Sequence, residues 1–418
     1  MSLAARLHST PDQVQPRAAG KAILVLCHRL PYPPDKGDRI RSYHLLRHLA
    51  QGGWRIHLAA LADHSRDLAN QERLRPMCAS LAVEPMSGWG RYLSPLGALR
   101  GTSMSVECFR NRRLQCYVDQ VLATEHVDAV LAVCSPMAEY VLASPGLLPR
   151  TMVLDLVDVD SQKWRAYAEQ DRGPGRWLYG LEARLLGRYE RLAGQAFGNV
   201  VLVSEAEADL FRSLNGDGCK VLSISNGVDL RYFSPDNRPE PVVPGRTVFC
   251  GAMDYPPNID AVTWFANEVF PLVRAKLPES EFVIVGANPV PRVRSLAELA
   301  NVRVTGPVKD VRPYVASAAL SVAPLRLARG LQNKVLEAMA MAKAVLATPQ
   351  AFEGIEAEPG RDLAVARDSA MDFAKAALGL LGDPQAARTM GSRARRQVEK
   401  NYSWEARLAP LTRLLGGS

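Results

Sequence analysis

Short apolar runs alternate with helix-compatible stretches along most of the chain. The runs have polar residues at both ends and the length of buried parallel strands. They read AILVLC, RIHLAAL, DAVLAVC, TMVLDLV and NVVLVS in the first half, then TVFCGAMDY, EFVIVG, VRVTGPV, ALSVAPL and AVLAT in the second. Strands that alternate with helices indicate a doubly wound parallel sheet. The pattern therefore predicts an α/β fold with one Rossmann-like sheet in each half.

A polar, Pro-rich segment, SPDNRPEPVVPG at residues 234–245, interrupts this alternation and has the composition of an interdomain linker. At 418 residues the chain also exceeds the size of one ordinary core. We predict a disordered lead-in at 1–20, an N-terminal domain at 21–233 and a C-terminal domain at 246–395. A last helical segment, 396–418, is expected to return to the N-terminal domain. Two such domains are expected to face each other across a ligand cleft.

The net charge of +8 is concentrated in two stretches, HRLPYPPDKGDRIRS and FRNRR. They could meet an anionic membrane, an anionic substrate or nucleic acid, or could form a solvated surface. Nucleic-acid binding is least favoured, because no motif for it occurs and both halves share the charge. Seven scattered cysteines without CxxC pairs favour a reducing cytoplasm. No apolar run approaches the roughly 18 residues of a spanning helix.

The stretch GLQNKVLEAMA, residues 330–340, places polar residues at the start of an otherwise apolar helix. A loop that leads into a helix presents free backbone N–H groups to an anion. Lys334 can add a full charge for a phosphate, and Glu337, three residues on, can accept hydrogen bonds from paired ribose hydroxyls. The alternative is an N-cap at Asn333 with an internal Lys–Glu pair. A capping box would then need a glutamate where Leu336 stands.

Five segments in order resemble glycosyltransferase family 4. They are PYPPDKGDRIRSYHLLRHLA with LDLVDVDSQKWRAYA, then SNGVDLRYFSP, FCGAMDYPPNIDAVTWF, VRVTGPVKDVRPYVASAALSVAPLR and GLQNKVLEAMAMAKAVLAT. The first is most similar to sugar transferases that accompany exopolysaccharide clusters of the PEP-CTERM/exosortase type. The resemblance implies the GT-B fold and retaining transfer of a hexosyl unit from a nucleoside diphosphate sugar. It further implies a saccharide acceptor, expected to be lipid-linked, a cytoplasmic enzyme in peripheral contact with the inner membrane, and no metal or other cofactor.

The same resemblance assigns donor-side residues in the C-terminal half. Glu337 would bind the ribose and Lys334 the diphosphate. The other donor-binding candidates are Gly251 at a strand end, Val308, Lys309 and Asp310 bordering the base, and Arg329, Gly330, Leu331, Gln332, Asn333 and Val335 around the helix start.

Candidates for the acceptor and sugar side lie in the N-terminal half. Gly37, Asp38 and Arg39 form a loop there, and Asp158 and Ser161 follow a predicted strand. Asp158 is the catalytic candidate, with a structural or N-capping carboxylate as the alternative. The DVD sequence at 158–160 also permits a metal, which we do not expect because the implied diphosphate site needs none.

Two departures from the family pattern leave other functions open. Arg329 stands eight residues before Glu337, where relatives carry a second glutamate, and no basic pair follows GAMD. Arg329 or Lys334 is expected to supply the missing phosphate charge. The alternatives are a catalytically weakened sugar-nucleotide-binding protein and a GT-B-type epimerase.

Overall fold

The chain forms two compact units. The computed structural model describes residues 20–34, 37–86, 101–144, 148–171, 173, 175–237, 240–327 and 331–416. The N-terminal unit contains the described residues up to Ser225 and those from Leu408 onward, and the C-terminal unit runs from Asn226 to Arg407. The division therefore falls ahead of the 234–245 segment that we expected as the linker. The reason is that Val228 and Phe233 pack into the core of the C-terminal unit.

The N-terminal unit is built on a parallel sheet with the strand order β3-β2-β1-β4-β5-β6-β7. The strands are β1 (Ala22–Cys27), β2 (Arg55–Ala62), β3 (Ser80–Pro85), β4 (Ala129–Val133), β5 (Thr151–Val157), β6 (Asn199–Leu202) and β7 (Lys220–Ser223). Every residue of β1 is buried, as expected for a central strand that is covered on both faces. The edge strand β3 was not predicted, because its residues are mostly half-buried and carry no continuous apolar run.

Helices connect these strands. They are α1 (Gly37–Gln51), α2 (Met104–Cys108), α3 (Arg112–Thr124), α4 (Ala138–Leu142), α5 (Asp160–Gln170), α6 (Gly175–Phe197) and α7 (Glu205–Asn215), with 3-10 turns at Ser65–Arg73, Arg75–Met77 and Ser135–Met137. Helix α1 corrects one expectation, since Gly37–Ser42 was predicted as loop. Asp38 lies in its first turn, where a carboxylate stabilises the positive end of the helix dipole.

The C-terminal unit has a second parallel sheet with the order β10-β9-β8-β11-β12-β13. Its strands are β8 (Arg246–Cys250), β9 (Glu281–Val285), β10 (Val302–Val304), β11 (Leu320–Ala323), β12 (Val345–Ala347) and β13 (Ala364–Val365). Phe265, Phe270, Phe282 and Phe373 are fully buried in its core. The rings of Phe265 and Phe282 lie 4.5 Å apart.

The helices of this part of the chain are α8 (Pro256–Trp264), α9 (Phe270–Arg274), α10 (Pro291–Arg294), α11 (Arg312–Ser317), α12 (Asn333–Ala340), α13 (Pro349–Phe352), α14 (Ala370–Gly382), α15 (Pro384–Asn401) and α16 (Trp404–Leu414), with a 3-10 turn at Ser295–Glu298. The single helix expected at 258–277 is interrupted by a π-helical turn, Phe265–Val269. Pro271 follows it and has no N–H to donate to a carbonyl one turn back. None of the described helices has the length and apolar character needed to cross a bilayer.

In each sheet the direction of strand progression reverses once, between β1 and β4 and between β8 and β11. Ligands of doubly wound folds bind at the carboxyl ends of the strands beside such a reversal. His28 and Arg29 follow β1, and Gly251 follows β8. The fold class predicted from the sequence, two Rossmann-like α/β domains, is confirmed.

Candidate functional site

Helix α12 carries the polar residues of the GLQNKVLEAMA motif in the C-terminal unit. Its N-cap is Gln332, whose side chain makes no capping hydrogen bond, and Asn333 is the first helical residue. The alternative in which Asn333 caps the helix is therefore wrong. The side chains of Lys334 and Glu337 are half-buried, whereas Val335 is buried in the core. Only the backbone of Val335 could therefore meet a ligand.

Lys334 is held in a defined position by Asn258. The Lys334 Nζ donates a hydrogen bond of 2.7 Å to Asn258 Oδ1, and it lies 5.2 Å from the centre of the Phe249 ring. Asn258 Nδ2 donates in turn to the Ala252 carbonyl at 2.9 Å, so the amide oxygen is fixed toward the amine. Burial lowers the pKa of Lys334 to about 8, although the charge of Glu337 acts in the opposite direction.

Glu337 presents a carboxylate that the protein does not use. It has no hydrogen-bond or ion-pair partner within the part of the chain that the structure describes. Burial raises the pKa of Glu337 to about 7, and the nearby charge of Lys334 only partly offsets this. An unpaired, partly desolvated carboxylate can accept hydrogen bonds from two neighbouring hydroxyls of a ligand.

Two glycines allow the loops after β8 and β9 to approach each other closely. Gly251 N donates to the Val285 carbonyl at 3.0 Å. A Cβ at Gly251 would lie 2.7 Å from Asn258 Nδ2, and one at Gly286 would lie 1.7 Å from the Gly251 carbonyl oxygen. Side chains at either position would displace the contact that orients Asn258. Sequence reasoning selected Gly251 but missed Gly286 and Asn258, whose role depends on a contact between separate loops.

The turn at 308–310 is engaged in protein contacts. Val308 packs on the apolar cluster around Val248 and Val285, and Lys309 is exposed. Asp310 accepts hydrogen bonds from Arg312 Nη2 at 2.7 Å and from the Tyr232 hydroxyl at 3.3 Å. The proposed contact of this turn with a base stays a prediction, as do those of Leu331, Gln332 and Asn333. Arg329 and Gly330 lie outside the described residues.

In the N-terminal unit, the first turn of α1 belongs to a network of ion pairs. Asp38 Oδ2 lies 2.7 Å from Arg29 Nη1 and 3.3 Å from His28 Nε2. Burial opposes ionisation of Asp38, but the hydrogen bonds and charges of His28 and Arg29 outweigh it and hold the pKa of Asp38 well below its usual range. Arg39 Nη2 pairs with Asp63 at 2.9 Å. The first basic stretch is therefore largely neutralised by carboxylates.

Arg41, from the same basic stretch, is buried rather than available to a membrane or substrate. Its Nε donates to Asp155 Oδ2 at 2.8 Å and its Nη1 to the Ile224 carbonyl at 2.9 Å. We expected Asp155 to be satisfied by neighbouring backbone. The structure instead pairs it with Arg41, which ties α1 to β5.

Asp158 and Asp160 follow β5 and share one lysine. Lys163 Nζ lies 2.8 Å from Asp158 Oδ2 and 2.9 Å from Asp160 Oδ1. Burial opposes the charge of Lys163, yet the two carboxylates raise its pKa. The backbone of Val157 just before them has a φ of 68°. Because this conformation is strained for a β-branched residue, the surrounding structure must hold the loop in place.

Ser161 is buried and directed at a buried glutamate. Its hydroxyl donates to Glu190 Oε2 at 2.6 Å, and burial raises the pKa of Glu190 to about 8. Ser161 therefore anchors the start of α5 to α6. Sequence reasoning missed both Lys163 and Glu190, because their partners lie on elements whose packing the pattern does not encode.

Solved structures with the same fold cover nearly the whole chain. Sucrose-phosphate synthase from Thermosynechococcus elongatus is 17% identical with a TM-score of 0.64, covering 94% of this chain and 98% of that one. Anabaena HepE in complex with UDP and glucose is 14% identical with a TM-score of 0.61, covering 95% and 100%. S. aureus TarM, in complex with Fondaparinux, alpha-GlcNAc-glycerol and UDP, is 12% identical with a TM-score of 0.63, covering 94% and 99%. At these identities the likeness establishes the GT-B fold.

The sequence itself matches one family model, described as Glycosyl transferases group 1, over residues 244–383. This segment contains Gly251, Lys334 and Glu337, the residues of the C-terminal candidate site. No curated protein sequence matches the chain significantly. The matched domain and the fold together support a glycosyltransferase of the GT-B type.

Proposed function

We propose that the protein transfers a hexosyl unit from a nucleoside diphosphate sugar to a saccharide acceptor, with retention of anomeric configuration. The observation that carries this proposal is the pair formed by Lys334 and Glu337 on α12. One is a lysine held by Asn258, and the other is a carboxylate without a partner in the described chain. Both lie within the segment that matches the glycosyl transferase model.

The two side chains suit the two polar parts of a nucleoside diphosphate. Lys334 and the N–H groups at the start of α12 would bind the diphosphate, where they also stabilise charge on the leaving group. Glu337 would accept hydrogen bonds from the ribose hydroxyls. Gly251, without a side chain, leaves backbone accessible beside Lys334. The titratable pair would use the protein's own charges, so we propose no metal or other cofactor.

In the proposed reaction, the bond between the sugar anomeric carbon and the diphosphate oxygen breaks as an acceptor hydroxyl attacks from the same face. The acceptor proton passes to the departing phosphate oxygen, so that charge and atoms balance. Asp158 would contact the reacting sugar or its acceptor, with Ser161 positioning α5. Gly37, Asp38 and Arg39 would contribute to the acceptor side.

We further propose a lipid-linked saccharide as acceptor, in exopolysaccharide biosynthesis at the cytoplasmic face of the inner membrane. The resemblance of the first loop and of the 154–168 segment to transferases of exopolysaccharide clusters supports this. In the GT-B relatives, HepE is seen with UDP and glucose and TarM with UDP and a saccharide. These complexes make UDP a first donor nucleotide to test.

The first experiment is a thermal-shift screen of UDP, GDP, ADP and their sugars with wild type, Lys334→Ala and Lys375→Ala. Lys375 is an exposed lysine of the same unit and serves as the matched control. We expect one nucleotide family to stabilise wild type and the control but not Lys334→Ala. Equal shifts in all three proteins would remove Lys334 from the site.

The second experiment measures turnover of the selected donor with a lipid extract, with the anomeric configuration of the product read by NMR. A retained linkage is expected. Nucleotide binding without turnover on any acceptor would instead indicate a sugar-nucleotide-binding protein. Conversion of the donor without an acceptor alcohol would indicate an epimerase.

A further inference from the structure

One side of helix α6 carries exposed arginines with apolar residues at either end. We call it the arginine face and define it as Trp177, Arg184, Arg188, Arg191 and Leu192. Trp177 is 70% exposed and Leu192 53%, and the three arginines are also exposed. Such large exposed apolar side chains beside clustered charge mark an interaction surface.

Helical geometry places these five residues together. Each residue of an α-helix is rotated about 100° from the one before, so positions 7, 11, 14 and 15 residues after Trp177 lie in one sector. The opposite side of α6 carries the buried residues Ala183, Leu186, Ala193 and Phe197. The arginine face is therefore the outer side of a packed helix, and it extends about 22 Å along the axis.

The positive charge of this face is not compensated. The guanidinium groups of Arg184 and Arg188 have no ion-pair partner among the described residues. Arg191 donates to two neutral oxygens, Asn215 Oδ1 at 3.2 Å and the Leu214 carbonyl at 2.8 Å. The two acids of the helix, Glu182 and Glu190, are buried and accept hydrogen bonds from Ser103 and Ser161.

The neighbouring helix α5 adds to the same character. Its exposed side chains include Arg165 and Tyr167, the latter 52% exposed. The Tyr167 and Tyr179 rings lie 6.3 Å apart, and the Trp164 and Tyr179 rings 5.7 Å apart. This aromatic contact braces α5 against α6.

We propose that the arginine face docks the protein on a bilayer surface that contains anionic lipids. Guanidinium groups bind lipid phosphates, and an exposed tryptophan is favoured at the level of the headgroups. Trp177 and Leu192 at the two ends of the arginine stripe give apolar contact that a nucleic-acid backbone would not reward. The convex outer side of one helix suits a flat surface rather than a polymer that needs a groove. The proposal concerns a surface apart from the nucleotide site and does not depend on the transfer reaction.

The test is co-sedimentation of the full chain with phosphatidylcholine vesicles, with and without phosphatidylglycerol. Two variants with the same change in charge are compared, Arg184→Glu/Arg188→Glu and Arg112→Glu/Arg113→Glu. Arg112 and Arg113 are exposed at the start of α3 in the same unit, and they belong to the FRNRR stretch. Both variants are first checked for wild-type thermal unfolding.

Wild type should bind the anionic vesicles and lose binding as salt is raised. Each arginine near an anionic surface contributes about fivefold in partition, so the α6 variant should bind at least about twentyfold more weakly. The α3 variant should stay within about twofold of wild type. Equal loss in both variants, or no binding of wild type to phosphatidylglycerol, would overturn the proposal.

A second measurement uses Trp177. Brominated lipids should quench part of the tryptophan fluorescence of wild type, and Trp177→Phe should lose that part. Quenching unchanged in Trp177→Phe would place the contact elsewhere. If the α6 variant loses binding to an RNA oligomer while vesicle binding is unaffected, the face is a nucleic-acid surface instead. Nucleotide thermal shifts should be the same in all these proteins, so failure here leaves the proposed transfer function standing.

Discussion

At the scale of single residues, the amine of Lys334 is unusual because its charge changes near physiological pH. Burial beside Asn258 lowers its pKa to about 8, so the free site loses its positive charge as pH rises above that value. A diphosphate binds the protonated form. Affinity for the nucleotide is therefore coupled to the protonation of one side chain.

We predict that the dissociation constant of the selected nucleoside diphosphate rises up to about tenfold per pH unit above pH 8. In Lys334→Arg this slope should vanish, because a guanidinium stays charged over the whole range. Isothermal titration calorimetry between pH 7 and 10 measures both. Lys375→Arg is the control and should keep the wild-type slope. A slope that persists in Lys334→Arg would assign the titration to another group.

Glu337 has the opposite sign of effect on stability. Its pKa of about 7 in the folded chain lies above the ordinary value of 4.5, so the folded chain binds more protons between these values. The stability contributed by this residue therefore falls as pH rises from about 4.5 to 7 and stays low above it.

We predict that Glu337→Gln stabilises the unliganded protein by about 1 kcal/mol at pH 8, after allowing for its partial exposure and for its neighbour Lys334. The gain should shrink as pH falls toward 4.5, and nucleotide stabilisation should be lost. Urea unfolding at several pH values measures the first, and thermal shift the second. The exposed Glu353→Gln should show neither effect. A pH-independent gain would disprove the linkage.

At the scale of elements, the start of α12 was recognisable from sequence because Gly330, Lys334 and Glu337 are local in the chain. Its support was not. Asn258 follows β8, some 76 residues before Lys334, and Gly286 follows β9. These residues meet only because β8 and β9 are neighbours in the sheet, and a single sequence carries no local signal of that pairing.

Gly286 gives a direct test of this contact between loops. We predict that Gly286→Ala destabilises the protein by more than about 3 kcal/mol, because its Cβ would lie 1.7 Å from the Gly251 carbonyl oxygen. Gly379→Ala is the matched substitution. It lies within α14 with nothing near its Cβ, and it should stabilise by about 0.5–1 kcal/mol. Chemical denaturation measures both, and a neutral Gly286→Ala would show that the loops can separate.

At the scale of the whole molecule, the end of the chain belongs to the unit that holds its beginning. Leu408, Leu411 and Leu415 are buried, and residues from Leu408 onward group with the N-terminal unit. Thr412 Oγ1 lies 2.6 Å from His48 Nε2, and Lys21 Nζ donates to the Gly416 carbonyl at 2.6 Å.

We predict that truncation after Arg407 lowers the stability of the N-terminal unit by about 4 kcal/mol or more, since three buried leucines are lost. Nucleotide binding should persist, because Lys334 and Glu337 lie in the C-terminal unit. Calorimetric unfolding with and without nucleotide separates the two effects. Removing only the last two residues is the control. Loss of nucleotide binding with unchanged thermal unfolding would contradict the assignment of these residues.

The sequence by itself determined the strand–helix alternation, the two α/β halves and the polar residues on α12, because each is written in neighbouring positions and their periodicity. Tertiary structure alone decided which charges are available. Arg29, Arg39 and Arg41 looked like an anion-binding cluster, but distant carboxylates pair with them. The arginines of α6 lie in ordinary helical text and remain uncompensated. Pairing depends on which elements pack together, and so on distances in space that the linear pattern does not contain.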